Sequence, residues 1–294
     1  MKMRALLSLN TLLLSGIVGS GSCDWVGDKE EVYVVSVPVA SVYADIYDDS
    51  ERVTQVLGGD VVIVKKRDAV RSLFKIIVPD QYRESYGYPG WMERRYLSKV
   101  ASTNRNNIFV SEPVALVYSS PNIKSDTIGK FYAFSSLQCD LKFKHHSFCS
   151  IKMPGSGRVG YVLKSHVSRD YLPAKGKEII KSAWKFKGTP YLWGGLSASG
   201  IDCSGFVYIV CKMHGLLVPR DADQQFLVGR DVARDELAPG DTVFFGKDYQ
   251  NVGHVGFYLG DDYFLDASGR NGVNRSSLKD PKYIDCYLGA KRFY

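Results

Sequence analysis

The stretch IDCSGFVYIVC, residues 201–211, places a cysteine between an aspartate and a serine and then runs apolar for about two helical turns. This pattern predicts a helix that begins near Cys203 and ends at Gly215. Unpaired backbone N–H groups and the positive end of the helix dipole would favour a thiolate there, as a cysteine nucleophile requires. A single cysteine at the start of an apolar helix is more commonly a core residue, so both interpretations stay open.

Two further polar residues lie in strand-like runs of the same region. His254 is part of VGHVGFYLG and Asp266 is part of YFLDAS, 12 positions later (266 − 254 = 12). A hairpin turn at residues 260–262 would bring both side chains level on one face of an antiparallel pair. A carboxylate beside an imidazole fixes its tautomer and stabilises the imidazolium, so Cys203, His254 and Asp266 form a candidate catalytic triad. The alternatives are a surface or core histidine and an ordinary turn aspartate.

The chain before residue 171 has a different character. Short β-runs broken by turn residues fill 31–100, and a second such unit follows a polar link at 102–107. PGWMERRYLS (89–98) and GRVGYVLKSHVS (157–168) share a glycine, an aromatic residue and an exit into a turn. This weak repeat predicts two copies of one small β-barrel. Apolar positions on one face predict a helix over 177–187, and one further helix with several strands predicts a separate α+β domain.

The N-terminus has the features of an export signal. Two positive charges within Met1–Arg4 precede an apolar run over 5–18, and small residues lead into Cys23. The run is too short for a membrane span and predicts a signal peptide over 1–23. Gly21-Ser22 before Cys23 is compatible with a lipid anchor there, whereas Ser20 stands where a lipid signal usually has leucine. A buried N-terminal helix is the alternative, and it would leave the stop at GSGSC unexplained.

Composition and charge limit the classes of molecule that the protein is expected to bind. Hydrophobic residues make up 45% of the 294, which is ordinary for a globular protein, and the net charge of +7 suits an anionic partner. Lysine and arginine are scattered, so we expect no nucleic-acid binding. The five histidines form no spaced ligand pair with a cysteine or acid, so we expect no metal and no cofactor.

The other cysteines do not form a disulfide scaffold, since the chain has six in all. Cys139 and Cys149 flank a hairpin-like segment and either pair in an oxidising compartment or are two small buried side chains. Cys211 and Cys286 are predicted to be core residues.

Five blocks in a fixed order resemble the NlpC-type cell-wall peptidases, which are papain-like bacterial cysteine enzymes. The blocks are YLWGGLSASGIDCSGFV, PRDADQQ, LAPGDTVFF, GHVGFYLG and YFLDASG. The resemblance covers about residues 175–294. Members commonly carry N-terminal SH3-like domains, whose last strand typically contains Gly-Trp-Val. Gly90-Trp91-Met92 fits this pattern well, and Gly160-Tyr161-Val162 fits it less well. The expected fold class is α+β, with a papain-like NlpC-type catalytic domain at 175–294 after SH3-like β-barrels at 30–101 and 105–171.

The resemblance implies a cysteine endopeptidase that cleaves peptidoglycan stem peptides between γ-D-glutamate and the following diamino acid. By position, Cys203 is the nucleophile and His254 the general base. Asp266 stands where many members have histidine, and a carboxylate orients imidazole equally well. Tyr191 matches a tyrosine near the nucleophile that assists the oxyanion together with the Cys203 backbone N–H. The alternative for Tyr191 is an aromatic residue that fills the core beside Trp193.

In SH3-bearing members, the residues flanking the cysteine hold the free amine of an N-terminal L-alanine, and Asp202 and Ser204 match them. Glu51 and Tyr88, or nearby Tyr86, are the candidates for the acid and tyrosine that the first domain adds, against ordinary surface residues. Such a pocket would select freed stem peptides, because an acylated nitrogen would leave the carboxylates unpaired.

Two other functions fit part of the pattern. Cys-His-Asp in this chain order also describes transglutaminase-like acyl transferases. A cell-wall binding module without activity is the other alternative, which the intact Cys203, His254 and Asp266 argue against. We expect a monomer exported to the bacterial envelope, in the periplasm or at the cell surface, with membrane association if Cys23 carries lipid.

Overall fold

A computed structural model describes residues 31–83, 87–99, 107–269 and 271–294. The predicted signal peptide, Cys23 and Tyr86 lie outside these residues, as does most of the polar link at 102–107. Within the described residues, no helix has the length and apolar character needed to cross a membrane.

Seven short strands form the first unit: β1 Glu31–Val35, β2 Val39–Tyr43, β3 Arg52–Leu57, β4 Val61–Asp68, β5 Leu73–Val78, β6 Tyr88–Glu93 and β7 Leu97–Lys99. Buried and more exposed positions alternate along β2, where Ala40 and Val42 point into the core. The strands pair antiparallel in the order β3-β2-β6-β5-β4-β1-β7. The predicted β-rich character of 31–100 thus takes the form of one sheet.

The second unit has the same strand order as the first. Its strands are β8 Asn107–Val110, β9 Val114–Tyr118, β10 Thr127–Tyr132, β11 Ser136–Cys139, β12 Phe148–Lys152, β13 Val159–Leu163 and β14 Val167–Ser168. They pair in the order β10-β9-β13-β12-β11-β8-β14, which matches the first sheet strand for strand. In the described parts of both units the pairing does not close into a ring, so the SH3-like barrels stay a prediction.

The C-terminal unit combines helices with a six-stranded sheet. Its helices are α1 Gly176–Trp184, α2 Cys203–Met213, α3 Ala222–Phe226 and α4 Pro281–Ile284. Its strands are β15 Leu196–Ser197, β16 Gly200–Ile201, β17 Arg230–Val232, β18 Thr242–Gly246, β19 Val252–Gly260, β20 Tyr263–Ser268, β21 Gly272–Ser277 and β22 Tyr287–Arg292. The large sheet has the order β17-β22-β18-β19-β20-β21.

The sequence pattern predicted one helix after 177–187. The structure has three helices after α1, namely α2, α3 and α4. Helices α3 and α4 have five and four residues. Segments this short complete too few turns to show an apolar period, so the hydrophobic pattern could not reveal them.

Helix α2 lies at the centre of the C-terminal unit. All of its residues except Lys212 are buried. The ring of Phe206 meets Phe186 and Phe257 edge to face, with centroids 6.0 and 5.5 Å apart. A helix that is apolar on every side belongs inside a domain, and this burial fixes the position of its first residue, Cys203.

The far end of α2 lies where the three units meet. Lys212 Nζ is 3.9 Å from Asp60 Oδ2 and 3.6 Å from Asp80 Oδ2, both in the first unit. The same ammonium lies 4.9 Å from the ring centroid of Phe134 in the second unit. Burial raises the pKa of Asp60 to about 7, and the charge of Lys212 offsets part of that rise.

Candidate active site

Cys203 is the first residue of α2, and the capping of that helix explains its position. Asp202 is the N-cap, and its Oδ1 accepts a hydrogen bond from the Gly205 backbone N–H at 2.6 Å. Residue 205 has to be glycine, since a Cβ there would lie 2.3 Å from the Gly195 carbonyl oxygen. Cys203 is 7% exposed, so its thiol lies at the helix N-terminus and is largely shielded from water. The core cysteine and the helix-start nucleophile of the sequence analysis are both compatible with this place.

His254 and Asp266 meet on neighbouring strands. His254 Nε2 and Asp266 Oδ2 are 2.7 Å apart. Gly256 pairs directly with Asp266, so His254, two residues earlier on β19, lies on the same face. The strands are joined by a tight turn in which Asp261 and Asp262 have φ values of 52° and 61°, as in a type I′ hairpin.

Three donors hold the Asp266 carboxylate, which is only 1% exposed. Besides His254, the Ser276 hydroxyl donates to Oδ1 at 2.7 Å and the Tyr283 hydroxyl to Oδ2 at 3.3 Å. The Tyr283 ring also stacks on the imidazole, with centroids 5.9 Å apart. Sequence reasoning missed Ser276 and Tyr283, although Ser276 faces the same side of the sheet as its diagonal neighbour Asp266.

The imidazole is tuned by both of its partners. Burial by itself would lower the pKa of His254, but hydrogen bonds and charges from Asp266 and Cys203 raise it to about 9. Since Nε2 is bonded to Asp266, Nδ1 is the ring nitrogen available to the thiol. The imidazolium is therefore the stable form of His254 at neutral pH.

Tyr191 lies beside Cys203. It forms an isolated bridge with Ile201, two residues before Cys203. Burial, and to a lesser extent the electrostatic interaction with Cys203, raises the pKa of Tyr191 to about 12. Its hydroxyl therefore stays protonated at neutral pH. A protonated hydroxyl beside the thiol can donate to an oxyanion.

Asp202 and Ser204 are engaged by a residue that sequence reasoning missed. Arg220 is 1% exposed and donates to Asp202 Oδ2 at 2.7 Å, to Asp202 Oδ1 at 3.1 Å and to Ser204 Oγ at 2.9 Å. Its Nε donates to Thr54 Oγ1 of the first unit at 3.0 Å. In the sequence, Arg220 is visible as the arginine of PRDADQQ, but no local pattern indicates which acidic residue it pairs with.

Glu51 and Tyr88 both contact the C-terminal unit, at points other than Asp202 and Ser204. Glu51 Oε1 accepts from the Trp193 indole N–H at 2.6 Å. The Tyr88 hydroxyl donates to Asp221 Oδ2 at 3.0 Å. The structure therefore brings the two first-unit candidates to the same domain junction, where they bond to Trp193 and Asp221.

A cavity of about 320 Å³ opens beside His254. Its wall includes Tyr191, Lys282, Tyr283 and Cys286. Cys286 packs against the apolar cluster that includes Phe245 and Tyr283, which agrees in part with its prediction as a core residue, but it is only half-buried and lines this cavity. The apolar residues around Cys286 in the sequence suggest a buried strand. In the structure its thiol donates to the carbonyl oxygen of Lys282 in α4 at 3.1 Å.

Comparisons with known proteins agree with this geometry. The family model described as NlpC/P60 family matches residues 188–292. Two γ-D-glutamyl-L-lysine dipeptidyl-peptidases, from Bacillus cereus and Bacillus subtilis, are 31% and 33% identical to this chain. These matches cover 81% and 70% of this chain and 73% and 69% of the relatives. A crystal structure of an NlpC/P60 family protein from Bacillus cereus has a TM-score of 0.79 at 25% identity, over 89% of this chain and 99% of its own.

Proposed function

The chain belongs to the NlpC/P60 family of cysteine peptidases, and from that membership we propose that it hydrolyses peptidoglycan stem peptides between γ-D-glutamate and the following diamino acid. The γ-D-glutamyl-L-lysine dipeptidyl-peptidase activity for which the two Bacillus relatives are named supports this bond. The observation that carries the proposal is the linked set Cys203, His254 and Asp266. The set lies at a helix N-terminus beside an open cavity.

In the proposed reaction, the Cys203 thiolate attacks the γ-carbonyl carbon of D-glutamate. The oxygen becomes an oxyanion, which the Cys203 backbone N–H and the Tyr191 hydroxyl stabilise. When the tetrahedral intermediate collapses, the C–N bond breaks and the His254 imidazolium gives its proton to the leaving amine. The neutral imidazole then takes a proton from water, the hydroxide attacks the thioester, and the thiolate returns with the free carboxylate product.

Asp266 is proposed to orient His254 rather than to move a proton. Its carboxylate accepts from three donors and is buried, so its geometry is fixed before the substrate binds. A fixed carboxylate keeps Nδ1 directed at the thiol and stabilises the imidazolium.

We propose that the substrate has a free N-terminal L-alanine, with a pocket that differs from the sequence expectation. The charge of Asp202 is already neutralised by Arg220, which also binds Ser204. Asp202 and Ser204 therefore form part of the wall of the proposed amine pocket but do not supply its negative charge. Among the residues that the structure describes, no cation pairs with Glu51, whose carboxylate is therefore the one available to an ammonium. The Tyr88 oxygen, which donates its proton to Asp221, remains as an acceptor.

We further propose that 1–23 is a signal peptide, that 30–101 and 105–171 are SH3-like domains and that 175–294 is the catalytic domain. The relatives include a probable peptidoglycan endopeptidase of Bacillus subtilis and a probable endopeptidase NlpC of Escherichia coli. Peptidoglycan lies outside the cytoplasmic membrane, so an enzyme that acts on it has to be exported to the envelope. A lipid on Cys23 would hold the protein at a membrane, and the mass of the mature N-terminal peptide tests this.

The decisive experiment is mass spectrometry of defined peptides incubated with the wild type and Cys203→Ala. One set carries free L-Ala-γ-D-Glu-diamino acid, and the other has the same peptides amide-linked to muramic acid. Cleavage after γ-D-glutamate in the free set alone, lost in the variant, supports both the peptidase and the amine pocket. Cleavage of both sets removes the roles of Glu51 and Tyr88. Transfer to an added amine instead of water would indicate acyl transfer, and folded protein with no reaction would indicate a binding module.

A further inference from the structure

We propose that the cavity beside His254 binds the side chain of the leaving diamino acid, and that Lys282 selects diaminopimelate over lysine by pairing with its side-chain carboxylate. This rests on the proposed function. It goes beyond the two Bacillus relatives, whose names specify L-lysine.

The position of His254 decides which part of the substrate the cavity takes. The general acid has to reach the leaving nitrogen, so the residue that carries this nitrogen lies on the His254 side of Cys203. The imidazole forms part of the cavity wall. Glu51 and Trp193, which we propose for the acyl part of the peptide, do not line this cavity.

The shape of the cavity suits a diamino acid side chain. Its volume of about 320 Å³ is at the small end of the range for ligand sites, about 300–1,000 Å³. The rings of Phe245 and Tyr283 form apolar wall against which a chain of methylene groups can pack. These rings lie 4.9 Å apart between centroids, so the wall is continuous.

The charge of the cavity favours an anionic end group. Lys282 is part of the wall, and Nζ lies 3.2 Å from the Tyr283 hydroxyl, which holds the ammonium at that ring. An ammonium has three protons, so further donors remain for a carboxylate. Among the described residues, the cavity wall includes no aspartate or glutamate. The ε-ammonium of lysine would therefore meet a like charge, whereas diaminopimelate brings a carboxylate to the same place.

The experiment compares three free peptides, L-Ala-γ-D-Glu followed by diaminopimelate, by lysine, or by diaminopimelate amidated on its side-chain carboxylate. The enzymes are the wild type, Lys282→Gln, Lys282→Glu and the control Lys279→Gln. Lys279 is also exposed and lies three residues earlier, but it pairs with Asp262 at 2.9 Å, away from the cavity. The measured quantity is kcat/KM for each pair.

We expect the wild type to prefer diaminopimelate over both other peptides by about tenfold, as one charge-assisted hydrogen bond provides. Lys282→Gln should lose this preference, because the rate on the diaminopimelate peptide falls while the rate on the lysine peptide rises as the like charge is removed. Lys282→Glu should reverse the preference, and Lys279→Gln should keep it.

Two results would overturn the assignment. One is a preference for diaminopimelate that survives in Lys282→Gln. The other is an equal loss on the lysine and diaminopimelate peptides, which would place Lys282 on the α-carboxylate that both share. Failure of the proposed function looks different, because the wild type would then cleave none of the three peptides after γ-D-glutamate.

Discussion

His254 is joined to Asp266 across two neighbouring strands at 2.7 Å, and the residue directly opposite Asp266 is a glycine. A Cβ at Gly256 would lie 2.7 Å from the Leu265 carbonyl oxygen and 3.0 Å from the Cβ of Asp266. The absence of a side chain at this one position therefore lets the imidazole and the carboxylate meet in line.

The first prediction concerns Gly256→Ala. The added methyl group should displace Asp266 by a few tenths of an ångström and lower kcat/KM more than tenfold, because misplaced catalytic groups lose rate steeply. Kinetics on the free stem peptide and a thermal melt check this together. Wild-type kinetics in a folded Gly256→Ala protein would show that the close contact at this position has no catalytic meaning.

The second prediction concerns the alkaline limb of the pH profile. Since the pKa of His254 is raised to about 9, the imidazolium is present below that pH and is lost as the pH rises through it. In Asp266→Asn the charge that helps raise this pKa is gone, so the limb of kcat/KM should move to lower pH and the maximum should fall. A pH–rate series from 5 to 10, roughly the span around these pKa values, checks this. An unmoved limb would assign it to another group.

The third prediction concerns Arg220→Met. This change leaves the buried Asp202 carboxylate without its cation, and we expect a loss of about 3–5 kcal/mol in the free energy of unfolding. Urea denaturation measures it. Arg220→Met combined with Asp202→Asn should recover part of the loss, because the unpaired charge is then absent. Arg83→Met, which removes an exposed partner of Asp221 at 3.7 Å, should cost under about 1 kcal/mol.

The fourth prediction uses the buried Asp60. Its pKa is raised from 3.8 to about 7, so its favourable contribution is full below 3.8 and is lost as the pH rises through 7. Asp60→Asn does not titrate. The variant should therefore gain stability relative to the wild type between pH 5 and pH 8 by about 3 kcal/mol, because the wild type loses about 1.4 kcal/mol per pH unit until the pH passes 7. Unfolding at both pH values checks this, and a constant difference would contradict it.

What could be predicted from the sequence follows from how far apart the interacting residues lie. The helix start at Cys203 and the hairpin that pairs His254 with Asp266 depend on local patterns, namely a cap, an apolar run and a 12-residue spacing. Both features could therefore be predicted from the sequence alone. The strand character of the first two units was accessible for the same reason, since short β-runs and turn residues are also local.

The rest depends on contacts between distant segments. Arg220 reaches Asp202 and Thr54, which are 18 and 166 positions away, and no spacing rule links such residues. The partners of Glu51 and Tyr88 lie 142 and 133 positions away. Cys286 packs against a core cluster as predicted, but it is only half-buried, because the chain leaves α4 there and the thiol lines the cavity.

Both ends of helix α2 depend on the first unit. At its start, the arginine bound to the cap also binds Thr54, and at its end Lys212 lies between Asp60 and Asp80. The segment matched by the family model, 188–292, contains none of these three partners. A protein that carried this segment alone would keep Asp202 and Ser204 as acceptors for Arg220 but lose Thr54, and Lys212 would lose both of its carboxylates. The catalytic segment of this chain is therefore matched to its own first unit, and we expect the segment alone to be less stable than the same residues in the full chain.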